Sequence, residues 1–170
     1  APAPNGRMAL SPYYIASNAS YHAARAAADA LKRQGANALH TTQISAKRAA
    51  LRTGGHIGDN GFYYHPEFGS FVCIQTVLTD AFEAPASQKD VPRCLHCGAC
   101  AAACPSGAVG HVQNCLRCHI NGVVPEALRG DVYQLLGCEK CQLACPLNDQ
   151  TLGEPVHFAL EDLLGGTATA

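Results

Sequence analysis

Ten cysteines, nine of them crowded between Cys94 and Cys145, constrain this chain more than any other feature. Cys94, Cys97 and Cys100 recur at every third residue, and Cys104 follows directly. Thiols spaced this closely serve one metal centre better than a framework of crosslinks, although an even count is compatible with disulfides. A site built from free thiols needs reduced cysteines. That points to the cytoplasm, in an organism or niche with little oxygen. Cys73 stands apart in an apolar stretch and reads as a small hydrophobe.

The first group, Cys94-x2-Cys97-x2-Cys100-x3-Cys104-Pro105, follows the bacterial ferredoxin pattern. There, three neighbouring cysteines hold one [4Fe–4S] cubane and the fourth crosses to a second. Cys138-x2-Cys141-x3-Cys145-Pro146 repeats its last three positions, with Leu135 where a counterpart of Cys94 would stand. Two cubanes take eight thiolates, and the two groups supply seven. The eighth must come from Cys115 or Cys118. The expected ligands are therefore Cys94, Cys97, Cys100 and Cys145 for cluster A. Cluster B takes Cys104, Cys138, Cys141 and one of Cys115 and Cys118. Two rivals explain less. A zinc tetrahedron on Cys94, Cys97, Cys138 and Cys141 leaves Cys100, Cys104 and Cys145 idle. Haem attachment at Cys115-Leu116-Arg117-Cys118-His119 leaves cluster B one thiolate short.

The remaining sequence predicts a small α/β segment ahead of this module, for an α+β fold overall. Residues 1–88 form that segment with its linker, residues 89–155 the ferredoxin-like double-cluster module, and residues 156–170 a tail. A short strand is expected near Tyr13–Ala16. A helix is expected over Tyr21–Gln34, capped by Ser20 and ended by Gly35, and a second over Ala46–Arg52, capped by Ser45. Strands are expected at Phe62–Tyr64 and Phe71–Leu78, and a linker over residues 81–93. Of 170 residues, 48% are hydrophobic and 15% charged, which suits a globular chain. The formal net charge of −1 gives no electrostatic case for nucleic acid, and no apolar run reaches membrane-spanning length. Residues 1–7 lack the basic and apolar segments of a signal peptide.

One further stretch carries a family likeness. Gly137-Cys138-Glu139-Lys140-Cys141-Gln142-Leu143-Ala144-Cys145-Pro146-Leu147-Asn148 resembles the C-terminal double-cluster domain of epoxyqueuosine reductases. These are cobalamin-dependent iron–sulfur enzymes of tRNA modification, related in architecture to reductive dehalogenases. Asn114-Cys115, followed by Pro125-Glu126, is similar too, and the resemblance implies Cys115 rather than Cys118 as the eighth ligand. Ala46–Ala50, Ile57-Gly58-Asp59-Asn60, His65-Pro66, Gly69-Ser70 and Leu78-Thr79-Asp80 are similar to the end of that family's corrinoid-binding domain. On this likeness Gly55, Gly58 and Asn60 are candidates for a corrinoid or substrate loop. The departures bear on chemistry. The family's enzymes are substantially longer and carry most of the corrinoid domain ahead of the matched segment. At or beside the place of their proton-donating aspartate stands Leu39-His40, and Asp59 replaces the lysine of their Gly-Lys-Asn loop. The expectation is an electron-transfer protein relaying single electrons to a redox partner, either a corrinoid protein or a larger reductase. The alternative is a corrinoid-dependent reductase holding cobalamin near the glycine loop. A homodimer is a candidate for completing a pocket that one chain lacks.

Overall fold

Ser11-Pro12 starts the longest element. In the computed structural model, which describes residues 7–83, 93–120, 122–148 and 156–165, helix α1 spans Pro12–Arg33. Ser11 Oγ accepts from Tyr13 N at 3.2 Å, and Pro12 opens the first turn, where its missing N–H costs nothing. The strand expected at Tyr13–Ala16 is therefore the first turn of α1. Ser20 lies inside the helix, its hydroxyl donating to Ser17 O at 2.8 Å instead of capping. Gln34 closes α1, with Gly35 following in a left-handed conformation. Helix α2 covers Ala46–Ala50, capped by Ser45 as expected, and tightens into a 3-10 turn over Leu51–Thr53.

Among the described residues the strands are short and form two-stranded antiparallel ladders, with one isolated parallel bridge between Ala9 and Gln134. β1 (Arg7–Leu10) pairs with β6 (Val156–Ala159), β2 (Ala38–His40) with β5 (Val77–Thr79), and β3 (His56–Ile57) with β4 (Tyr63–Tyr64). The N-terminal part is thus helix plus antiparallel ribbons, rather than the α/β arrangement expected. Only the end of the expected Phe71–Leu78 strand joins a ladder. Phe71, Val72 and Ile74 instead line a cavity, and Cys73 Sγ donates to Tyr13 O at 3.6 Å. The expected linker at 81–93 lies mostly outside the described residues.

Among the described residues the cysteine-bearing part has six short elements: α3 (Ala99–Ala102), α4 (Leu116–Ile120), α5 (Lys140–Leu143) and 3-10 turns over Val112–Asn114, Glu126–Asp131 and Pro146–Asn148. It does not stand apart from the N-terminal part. β1 is clasped on both sides, by β6 in register Met8↔Phe158 and by Leu135, whose N donates to Ala9 O at 2.7 Å. Within the expected tail, residues 156–165 form β6 and α6 (Leu160–Gly165). The reason is the free edge of β1, which leaves backbone groups to be paired.

Ser11 makes a second link. Its buried hydroxyl donates to the carboxylate of Glu139, itself buried beside Cys138. Ser11→Ala removes both the cap and the partner of a buried carboxylate, so a loss of roughly 2–3 kcal/mol is expected in urea unfolding. A change below about 0.5 kcal/mol would mean that Glu139 finds other partners.

Candidate metal centre

His96 and Gly98, both at positive φ (51° and 76°), fold the first cysteine group into a tight loop. This loop runs straight into α3, which carries Cys100, and α3 packs against α5 of the second group. The result is a small pocket lined by Cys94, Cys97, Cys100 and Cys145. Three of these thiols come from the first group and one from the second, in the combination expected for cluster A. All ten cysteines are free.

A second gathering lies around a cavity of about 610 Å³, lined in part by Cys104, Cys115, Cys118 and Cys141. Burial pushes the Cys141 thiol up to about 12, with further push from Cys138, Cys104, Cys115 and Cys100. Burial likewise raises Cys138, which is repelled by Cys115 and Cys104. Cys104 behaves differently. Burial would raise it, but its sulfur accepts from Ala108 N at 3.2 Å and pairs with the Ser106 hydroxyl. These and neighbouring amides bring its thiol below the usual value. Cys118 is exposed, with Sγ donating to Val112 O at 3.5 Å.

The glycine loop faces the first pocket, which Gly58, Asp59 and Asn60 help to line. Its residues are also needed by the hairpin itself. Gly55 sits at φ +89°, with the Tyr63 ring 2.7 Å from where a Cβ would be, and a Cβ on Gly58 would lie 2.7 Å from Tyr64 Cε2. Asn60 Nδ2 donates to Tyr64 Oη (2.8 Å) and to Cys141 O (3.4 Å), while its Oδ1 accepts from Phe62 N at 3.2 Å. Tyr64 is buried, and its hydroxyl is raised by that burial and then by hydrogen bonding with Cys145. Asp59, the departure from the family loop, pairs with His96 Nδ1 at 3.0 Å. His40 Nε2 meets Gln75 Oε1 at 2.9 Å, and its ring packs edge-on against Tyr21, which is a structural arrangement.

Sequence reasoning missed a polar hub beside the cysteines. Ser70 N donates to Asn148 Oδ1 (2.7 Å), and Asn148 Nδ2 donates to Ser70 Oγ (2.7 Å) and Gln142 O (2.8 Å). Gln142 Nε2 donates back to Ser70 O and Oγ, each at 3.0 Å. The hub fastens the N-terminal part to the residues around Cys141 and Cys145. Its only signal in sequence was the presence of Gly69-Ser70, Gln142 and Asn148 in the family-like strings.

The donor chemistry fits iron–sulfur ligation. Soft thiols converge in two groups, none is held in a disulfide, and the repulsion raising Cys141 is what bound cationic iron relieves. A corrinoid is not matched in the same way, because the polar atoms of Asn60 are engaged within the fold and the glycines serve the hairpin.

The comparisons agree with this chemistry. Residues 88–109 match the 4Fe-4S binding domain family. The epoxyqueuosine reductase of Bacillus subtilis (strain 168) is 34% identical over 120 residues, covering 65% of this chain and 31% of that protein. The Escherichia coli (strain K12) epoxyqueuosine reductase is 32% identical over 112 residues, covering 61% of this chain and 28% of that protein. A solved structure of the Bacillus subtilis enzyme superposes with a TM-score of 0.67 at 26% identity, covering 81% of this chain and 42% of that one. The chain thus spans about a third of the length of these curated relatives. Over about two thirds of its own length it is homologous to epoxyqueuosine reductases, and it carries a 4Fe–4S binding domain.

Proposed function

We propose that this chain binds two [4Fe–4S] clusters and relays single electrons to a redox partner protein. Cluster A is held by Cys94, Cys97, Cys100 and Cys145, and cluster B by Cys104, Cys115, Cys138 and Cys141. The observation carrying this reading is the pocket in which Cys145 joins three thiols of the other group. When bound, the clusters supply one-electron acceptance and donation. The chain's own residues tune and orient that chemistry. Hydrogen bonds from Ala108 N to Cys104 Sγ, and between Tyr64 and Cys145, draw charge from the sulfurs. Cys97 is exposed whereas Cys138 is buried, so exchange with a partner runs through the cluster A side. Among the described residues no helix is long and apolar enough to cross a membrane. A site built on free thiols favours the cytoplasm.

Homology to epoxyqueuosine reductases favours a second reading, a corrinoid-dependent reductase. One experiment separates the two. Anaerobically purified protein is analysed for iron and sulfide, then titrated with cob(II)alamin and followed by EPR. The relay predicts about eight irons per chain and an unchanged cobalamin signal. A base-off cobalt signal at stoichiometric protein would favour the reductase. About four irons, or zinc in place of iron, would rule out the two-cluster assignment.

A further inference from the structure

Two cubanes leave one cysteine of the module over, and the structure puts that residue next to the others. Cys118 lines the same cavity as Cys104, Cys115 and Cys141. It lies one helical turn after Cys115, with Cys118 N donating to Cys115 O at 2.8 Å. Cys115 precedes α4 in an extended conformation and Cys118 lies within it, and the same spacing brings Cys94, Cys97 and Cys100 to one pocket. The two thiols differ in setting. Cys115 is half-buried and acts electrostatically on Cys138 and Cys141. Cys118 is exposed, held by a single long contact to Val112 O.

We propose that Cys118 is a reserve ligand of the second cluster, taking over the iron bound by Cys115 when that bond is broken. This rests on the two-cluster reading. In the exchange the iron–sulfur bond of Cys115 breaks and its thiolate takes up a proton. The thiol of Cys118 loses a proton and its sulfur bonds the same iron, and no electron is transferred. The exchange requires Cys118, the third residue of α4, to turn toward the cavity that it already helps to line. The arrangement gives the exposed side of the site a second thiol where oxidants and solvent arrive first.

The test uses the full chain, purified anaerobically as wild type and as Cys115→Ala, Cys138→Ala and the double variant Cys115→Ala/Cys118→Ala. Iron is counted, reduced clusters are examined by EPR, and iodoacetamide labelling is mapped by mass spectrometry. Cys115→Ala should retain the wild-type iron content with an altered EPR spectrum. Cys118 should be labelled in wild type and protected in Cys115→Ala. Both Cys138→Ala and the double variant should lose about half of the iron. Half of the iron lost from Cys115→Ala alone, as from Cys138→Ala, overturns the proposal while leaving two clusters in wild type. Full iron in Cys138→Ala instead overturns the ligand assignment, and the reserve role with it. Should Cys115→Ala fail to fold, Cys118→Ala decides. Its second cluster should bleach several-fold faster in air than that of wild type, and an unchanged rate overturns the reserve role.

Discussion

Removing iron from the anaerobic protein is expected to unfold residues 93–148 and to lower the thermal midpoint by tens of degrees. The argument is one of insufficient core. α3, α4 and α5 have four, five and four residues, far below the roughly 12–15 at which an isolated helix becomes even marginal. The buried apolar side chains of this stretch are small or few, namely Ala108, Leu116 and Cys138 among the described residues. Paired strands do not compensate, because two-stranded ribbons are marginal in water. Thiolates brought together without metal are also disfavoured: burial raises Cys141 first, and the charges of Cys138, Cys104, Cys115 and Cys100 raise it further. Bound iron reverses that sign, so binding free energy becomes folding free energy. Calorimetry and amide exchange before and after anaerobic chelation check this. An apo chain that keeps both its cooperative transition and its amide protection would show that packing alone holds the module.

Asn148→Ala should be the most costly single change outside the cysteines, at about 3–4 kcal/mol in denaturant unfolding of the holo protein. Three hydrogen bonds at roughly 1 kcal/mol each are lost, and Ser70 N and Gln142 O are left without their partner in a partly buried place. Asn148→Asp retains the acceptor for Ser70 N but not the two donations, so an intermediate loss is expected. Because the Asn148 side chain ties Ser70 to Gln142, which adjoins Cys141, the Asn148→Ala variant's iron should be released faster under chelation. A loss within about 0.5 kcal/mol for Asn148→Ala would mean that water replaces the hub.

The metal chemistry was legible because it is local. Cysteines at third-residue spacing are brought to one pocket by the local course of the chain, as Cys94, Cys97 and Cys100 are. Capping at Ser45 was readable for the same reason. What escaped lay in pairings between distant residues. β1 and β6 are four residues each and about 150 apart in sequence, too short for alternation to register and too far apart for a turn signal. Ser11 gives no local sign of its second role, because its carboxylate partner, Glu139, lies 128 residues away in sequence. Ser70, Gln142 and Asn148 are ordinary polar residues until the fold buries them together. Cys115 and Cys118 share a turn and a residue type, so spacing leaves them equivalent. Only the folded chain sets Cys115 against Cys138 and Cys141 while Cys118 faces solvent, because burial is a property of the whole packing and not of any local string.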